Sequence, residues 1–359
     1  MSNTGETVRP WGALKETGEK VTRKVTLKDV AAAANVSRAT AARALNDYGY
    51  VGGETARRVQ EAAEKLGYRG NRVAQALRRG ELPLVGFVLG DIQNPFFARI
   101  AHDLEESFRK RRHNLLLASS DENPAQEKEL LESLRALSVR GFVVAPTSAD
   151  DHAHLEASIR DGAPVVLIDR AARNLACDSV LVDNEGGARK AVAYLIENGH
   201  RRIGLLQDET RIFTSQERLA GYRNALAAHG IGLDPALISV SPSTIEHGID
   251  ATIRLFSQRN PPTAVFTVDS LMTQGALLAL RSMGLSIPRD VSLIGFDDFN
   301  LATFTDPQIT VVAQPIADIG PLAADMLLDR LAGRKDPPRN ALFPTRLIVR
   351  GSVSRAARA

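Results

Sequence analysis

The chain has 359 residues, 44% apolar and 24% charged, with a net charge of +3, the make-up of a soluble globular protein long enough for two or three domains of ~150 residues. A single cysteine, Cys177, excludes an intramolecular disulfide and fits a reducing, cytoplasmic setting. Residues 1–24 are polar and no run of ~18 apolar residues occurs, so neither a secretory leader nor a membrane span is expected, and the first stretch reads as a disordered tail.

Residues 25–46, VTLKDVAAAANVSRATAARALN, predict two short helices joined by a tight turn. Thr26 with Asp29 three residues on forms a capping box. Asn35 suits the left-handed conformation that ends a helix, and Ser37 is a good cap for the second. Alanines allow the two helices to cross closely, while Val36 and Leu45 supply apolar contacts. If the second helix enters a DNA major groove, it offers Arg38, Ala39 and Arg43 to base edges. The competing reading is a helical hairpin at the edge of a larger core. Charge favours DNA: residues 24–79 hold eleven Lys or Arg and five Asp or Glu, a net of +6, leaving about −3 for the remainder.

Residues 52–66 predict a third, amphipathic helix with Val59, Ala62, Ala63 and Leu66 on one face, stopped by Gly67. Residues 71–80, NRVAQALRRG, place Val73, Ala74 and Leu77 on one helical face among arginines. A piece this short needs a partner to become ordered. It is either a linker helix packed on its own domain or a hinge that folds against DNA and drives Leu77 between base pairs.

From Pro83 the texture changes to short apolar runs alternating with helical stretches: 84–89, 115–118, 141–145 and 164–168, then 202–206, 237–240, 264–268 and 292–296. Two such sets predict two parallel-sheet lobes with helices on both faces. Ligands of open α/β sheets sit beyond the carboxyl ends of the strands. The strand ends here carry Asp91, Asn94, Phe96 and Phe97; Asp169 and Arg170; Gln207; Asp269; and Asp297 and Asp298. Aromatic rings against sugar C–H faces, with Asp and Arg on hydroxyls, would suit a polyhydroxy ligand. Walker-type glycine loop, H-E-x-x-H and G-x-S-x-G elbow are all missing, so no catalytic residue, metal or cofactor is expected and the chain does not read as an enzyme. His152 and His154 read as surface residues, and Cys177 as a plain core thiol.

The order of these parts resembles the LacI/GalR family of bacterial transcriptional regulators, from about Val25 to Ser352. The matching pieces are VTLKDVA, VAQALR, NPFF, LIDR, VDNEGGARKAVAYLIENGHRRIGLL, ERLAGY, PTAVFTVDSLMTQGALLAL and DVSLIGFDD. The resemblance implies an all-α helix-turn-helix headpiece and a two-lobed, periplasmic-binding-protein-like α/β body of doubly wound parallel sheets. The headpiece would span 25–70 and a hinge helix with linker 71–82. The N-terminal lobe would take 83–182 with 314–344, and the C-terminal lobe 183–313 with 345–359. Arg38, Ala39 and Arg43 would approach bases, Thr26, Ser37, Thr40 and Asn46 would hold phosphates, and Leu77 with Ala74 would enter the minor groove. Phe96, Phe97, Arg170, Arg218 and Asp297 would contact the effector, joined by Asn94, Asp169, Asp269 and Gln314.

The implied partners are a pseudo-palindromic double-stranded operator, a small-molecule effector, most simply a carbohydrate, and a second copy of the chain in a homodimer or a tetramer, with no membrane. A two-lobed solute-binding protein of a transport system shares the body but would carry a secretory signal and no basic headpiece; a regulator answering to a purine corepressor is the other alternative. Three departures stand out. Ala41 and Ala42 replace the family's usual valine and serine, removing packing methyls and a phosphate-contacting hydroxyl. Gly52-Gly53 replaces a serine cap. Val268 stands where related sugar binders carry a polar residue.

Overall fold

The computed structural model describes residues 25–46, 50–68 and 83–356. The chain divides into two compact units, Met1–Glu81 and Leu82–Ala359. The expected tail 1–24 and hinge residues 71–82 lie outside the described residues.

The first unit holds three helices: α1 (Leu27–Ala33), α2 (Arg38–Asn46) and α3 (Gly53–Lys65). At the start of α1 the Thr26 backbone N–H donates to Asp29 Oδ2 at 2.8 Å, and the Thr26 hydroxyl donates to the same oxygen at 2.7 Å. Asn35 takes φ 51°, which turns the chain sharply. The Val36 N–H then closes the end of α1 on Ala31 O at 3.0 Å. Ser37 caps α2 by accepting from the Thr40 N–H at 3.1 Å. Gly52 starts α3 with no side-chain cap. The core between the helices is thin: Val30 and Val59 are its largest fully buried members, and Ala31, Ala34, Ala41, Ala62 and Ala63 make up the rest.

The second unit contains two six-stranded sheets. The first comprises β1 (Leu84–Leu89), β2 (Asn114–Ser119), β3 (Phe142–Val144), β4 (Val165–Ile168), β5 (Asp178–Val182) and β11 (Asn340–Phe343), in the spatial order β11-β5-β4-β3-β1-β2. The second comprises β6 (Ile203–Gln207), β7 (Ile238–Val240), β8 (Ala264–Thr267), β9 (Ser292–Phe296), β10 (Thr310–Ala313) and β12 (Arg346–Ile348), in the order β12-β10-β9-β8-β6-β7. All neighbouring strands are parallel except β10 and β12. The eight apolar runs are eight of these strands. Central strands such as β3, β4, β8 and β9 are buried throughout because helices cover both faces. The other four strands escaped the sequence reading. β11 and β12 are edge strands with alternating or partial exposure, so they show no continuous apolar run.

The chain passes between the sheets three times: after β5, after β10 and after β11. After β10 the helix Ile316–Leu331 returns to the first sheet, where Ile316, Ile319, Ala323 and Leu327 join the core with Phe87, Val143 and Ile168. Strand order reverses beside β1 in the first sheet and beside β6 in the second. These switch points open crevices at the carboxyl ends of the strands. Among the described residues, no helix is long and apolar enough to cross a membrane.

Candidate functional site: a polar cleft between two sheets

One cavity collects residues from the carboxyl ends of both sheets. From the first sheet come Asn94, Phe96, Phe97, Asp169 and Arg170; from the second come Arg218, Asp269, Asp297 and Gln314. All nine effector positions named from the sequence therefore line the same space. Gln207 and Asp298, also at strand ends, do not. The Gln207 amide is turned to Ser215, donating to its carbonyl at 2.8 Å, and Asp298 pairs with Arg350 at 2.8 Å.

On the first side, Asn94 caps the helix Pro95–Lys110 by accepting from the Phe96 N–H at 3.0 Å, which fixes the two rings at the helix start. Phe96 and Phe97 meet edge to face with centroids 5.2 Å apart. The Arg170 guanidinium lies 5.5 Å from the Phe97 ring centre. Its two terminal nitrogens donate to Glu122 at 2.6 and 2.7 Å, a bidentate pair. Burial alone would lower the Arg170 pKa, but the Glu122 carboxylate overcomes it and holds the guanidinium firmly charged.

On the second side, Arg218 projects from the helix Phe213–Ala228 and is only 5% exposed. Its Nε donates to Asn184 Oδ1 at 2.9 Å, Nη1 donates to the Val268 carbonyl, and the guanidinium stacks 3.7 Å over the Phe296 ring. Gly221 lets this helix press on its neighbour Asn184–Glu197, since a Cβ there would lie 2.3 Å from the Glu185 carbonyl. Asp269 caps the helix Ser270–Ser282 through the Met272 N–H at 2.8 Å and accepts from the Ser243 hydroxyl. Ser270 Oγ in turn donates to Asn94 Oδ1 at 3.1 Å, a direct link between the two sides.

The two sides share one device. Asp169 follows β4 at φ 66° and Asp297 follows β9 at φ 75°. The left-handed turn aims each carboxylate across the strand ends, a conformation Asp tolerates better than most residues. The Asp169 N–H donates to the Val180 carbonyl at 3.0 Å and the Asp297 N–H to that of Val312 at 2.8 Å, pinning both turns. Gln314 Nε2 donates to Asp297 Oδ1 at 2.6 Å. Burial pushes the Asp297 carboxyl up to about 7 against the pull of Arg218, and raises Asp169 against that of Arg170. Asp169 Oδ1, Arg170 Nε and Gln314 Oε1 are buried with no hydrogen-bond partner among the described residues. These atoms are where the cavity lining has hydrogen-bonding capacity left over.

Sequence reasoning missed Glu122, Asp208, Thr214, Ser215 and Ser243, which also line the cavity. Asp208 directly follows β6, so the strand-end rule could have found it. Its carboxyl is pushed up to about 7 by burial and by the nearby Asp269 and Glu122 charges. The histidines need correction. His152 is buried with Nε2 2.7 Å from the Arg173 carbonyl, and His154 Nε2 lies 2.6 Å from Oε1 of the buried Glu127. Both serve internal packing rather than the surface. Cys177 is partly buried, and burial lifts its thiol to about 12, well away from reactivity.

In the first unit, Arg38, Ala39 and Ser37 are exposed, and Thr40 shares a 2.9 Å hydrogen bond with Ser37. Arg43 is half-buried, its Nε donating back to the Ala39 carbonyl at 3.4 Å. Thr26 is exposed at the start of α1. Ala41 is fully buried and Ala42 nearly so, which makes both packing positions and leaves Ala42 little surface for a phosphate. The side chain of Asn46, with Ala74 and Leu77, lies outside the described residues.

A three-helix unit whose second helix opens on the exposed Arg38 and Ala39, together with a two-sheet body that closes on a polar cleft, defines the class of DNA-binding regulator with a ligand-sensing body. Residues 26–71 match the family model described as bacterial regulatory proteins, lacI family, and residues 192–353 match the periplasmic binding protein-like domain. The HTH-type transcriptional repressor CytR of Escherichia coli (strain K12) is 34% identical over 328 residues, 91% of this chain and 96% of that protein. A transcriptional regulator CelR–cellobiose complex has 32% identity and a TM-score of 0.69, over 91% of this chain and 99% of that one. The lac repressor dimer bound to operator and the anti-inducer ONPF has 25% identity and a TM-score of 0.76, over 92% and 100%. The chain belongs to the lacI family of bacterial regulatory proteins and is a DNA-binding transcriptional regulator.

Proposed function

We propose that this regulator is a cytoplasmic repressor that acts by binding alone, occupying a pseudo-palindromic operator as a homodimer or a tetramer of dimers and answering to a polyhydroxy sugar in the cleft. The observation that carries the effector assignment is the convergence of Asp169, Asp297, Arg170, Arg218, Phe96 and Phe97 on one cavity. Two carboxyls and two guanidiniums provide acceptors and donors for vicinal hydroxyls, and the phenyl rings provide a face for ring C–H groups. The relative solved with cellobiose shows that a member of this fold takes a carbohydrate.

The cavity is about 30 Å³, far below the several hundred Å³ of a small-molecule site. A sugar therefore enters only if the two sheets part or the side chains between them rearrange. Effector then shifts DNA affinity by the difference in its affinity for the open and closed bodies. On the DNA side, Arg38, Ala39 and Arg43 read bases, while Thr26, Ser37, Thr40 and Asn46 hold phosphates, and Leu77 with Ala74 enters the minor groove. The proposed domain limits are 25–70 for the headpiece, 71–82 for the hinge helix and linker, 83–182 with 314–344 for the N-terminal lobe, and 183–313 with 345–359 for the C-terminal lobe.

A thermal-shift screen of sugars, sugar acids, sugar phosphates and purines tests the effector class, because only a ligand of the native state stabilises it by mass action. Stabilisation by one neutral sugar, abolished in Asp297→Asn, is the expected result. Stabilisation by a purine alone would overturn the sugar assignment.

A further inference from the structure

We infer that Glu122 makes the cleft exclude anions, so that the effector is an uncharged sugar and not a sugar acid or sugar phosphate. The inference rests on the sugar reading above and sharpens its chemical class.

Glu122 is held in place by unusual backbone. It and Asp121 are consecutive non-glycine residues at φ 57° and 48°, a conformation that persists only where surroundings impose it. The Glu122 N–H donates to the Gly90 carbonyl at 3.1 Å, folding the loop after β2 across the end of β1. Gly90 is a glycine for the same reason: a Cβ there would sit 2.0 Å from Glu122 Oε1. The carboxylate thus occupies a place prepared for it, and from there it takes both forks of Arg170.

The consequence is electrostatic. An incoming phosphate or carboxylate binds most strongly to a cation with free donors. The cavity lining has two, and each is largely engaged: both terminal nitrogens of Arg170 go to Glu122 while its Nε lies 3.4 Å from Asp169 Oδ2, and Arg218 gives Nε to Asn184 and Nη1 to the Val268 carbonyl while stacking on the Phe296 ring. Against them stand six carboxyl groups, since Asp91, Asp208 and Asp269 join Glu122, Asp169 and Asp297. With all six ionised the lining carries a net charge of −4 (two positive, six negative). Asp208 and Asp297 relieve this by holding protons near neutrality, and a protonated carboxyl can donate to a sugar hydroxyl as well as accept. A neutral polyol meets all these groups without a charge clash. A sugar phosphate adds negative charge to a buried acidic space, where repulsion is weakly screened.

The test measures binding of a panel of neutral pentoses, hexoses and disaccharides with their phosphate esters and their uronic or aldonic acids, by calorimetry on the full chain. The neutral member of the best pair should bind at least a hundredfold more tightly than its anionic counterpart. In Glu122→Gln, which frees Arg170 and removes one charge, that ratio should fall at least tenfold. Glu122→Asp retains the charge and should retain the exclusion, and thermal melts of both variants establish that they fold. An anionic sugar binding the native chain as well as its neutral counterpart overturns the inference and leaves the sugar reading intact. So does an unchanged ratio in Glu122→Gln, or its equal loss in Glu122→Asp, which would make packing and not charge the cause. Binding of no sugar at all overturns both.

Discussion

The two units solve opposite problems with the same residue types. The headpiece exposes Arg38 on a scaffold whose small core is mostly alanine and valine, so Arg38 makes no demand on folding. The body buries its arginines: Arg170 and Arg218 are each 5% exposed and hydrogen-bonded to Glu122 and Asn184. An exposed arginine can be lost with little structural penalty, whereas a buried one leaves its partners unpaired. Recognition of a charged polymer suits the first arrangement, and discrimination among small neutral molecules suits the second.

The largest effect that would sharpen this contrast is at Arg218. Arg218→Met orphans Asn184 and the Val268 carbonyl and should destabilise the body by about 3 kcal/mol, read by urea unfolding, as well as abolish effector binding. Arg38→Ala should leave thermal unfolding of both units unchanged while weakening operator binding by roughly 1–3 kcal/mol, as the base contact proposed for it requires. If the two substitutions cost equal stability, the contrast fails.

A pH prediction comes next. The Asp297 and Asp208 carboxyls titrate near 7 in the folded body, against an ordinary value of 3.8. A raised carboxyl contributes full stability below its unfolded pKa and loses it as pH rises through the folded one. The body should therefore weaken as pH rises from 3.8 to about 7, by about 1.4 kcal/mol per pH unit for each group at most. Asp297→Asn should flatten the slope in chemical denaturation; an unaltered slope would place the titration elsewhere.

Within the headpiece, Val59→Ala removes two methyl groups from a fully buried position and should cost about 1.6 kcal/mol, melting the three helices while the body's transition stays put. The smallest effect is at Gly52, where a Cβ would meet nothing within 4 Å. Gly52→Ser supplies the missing cap and should add only a few tenths of a kcal/mol.

Much of this was legible in the chain because the relevant signals are local. Thr26, Asn35 and Ser37 delimit the first helices through their own side chains, and the buried central strands announce themselves as apolar runs. Asp169, Asp269 and Asp297 could be placed because the strand-end rule depends on topology alone. Glu122 could not. Its position requires two consecutive left-handed residues with no glycine, and a gap opposite Gly90 that exists only once β1 and β2 pair. The Glu127–His154 pair was hidden likewise, since 27 residues separate partners that meet at 2.6 Å. Edge strands β11 and β12 lacked the apolar run because they are covered on fewer sides.

The central claim is that the cleft in the body controls the headpiece. The most direct measurement is the affinity of the full chain for a DNA fragment it selects from a random library, by fluorescence anisotropy with and without the sugar found in the thermal-shift screen. The native chain should show at least a tenfold change in Kd and Asp297→Asn none, with its sugar-free DNA affinity staying native. The same Kd with and without sugar in the native chain, or an equal shift in Asp297→Asn, would contradict the claim.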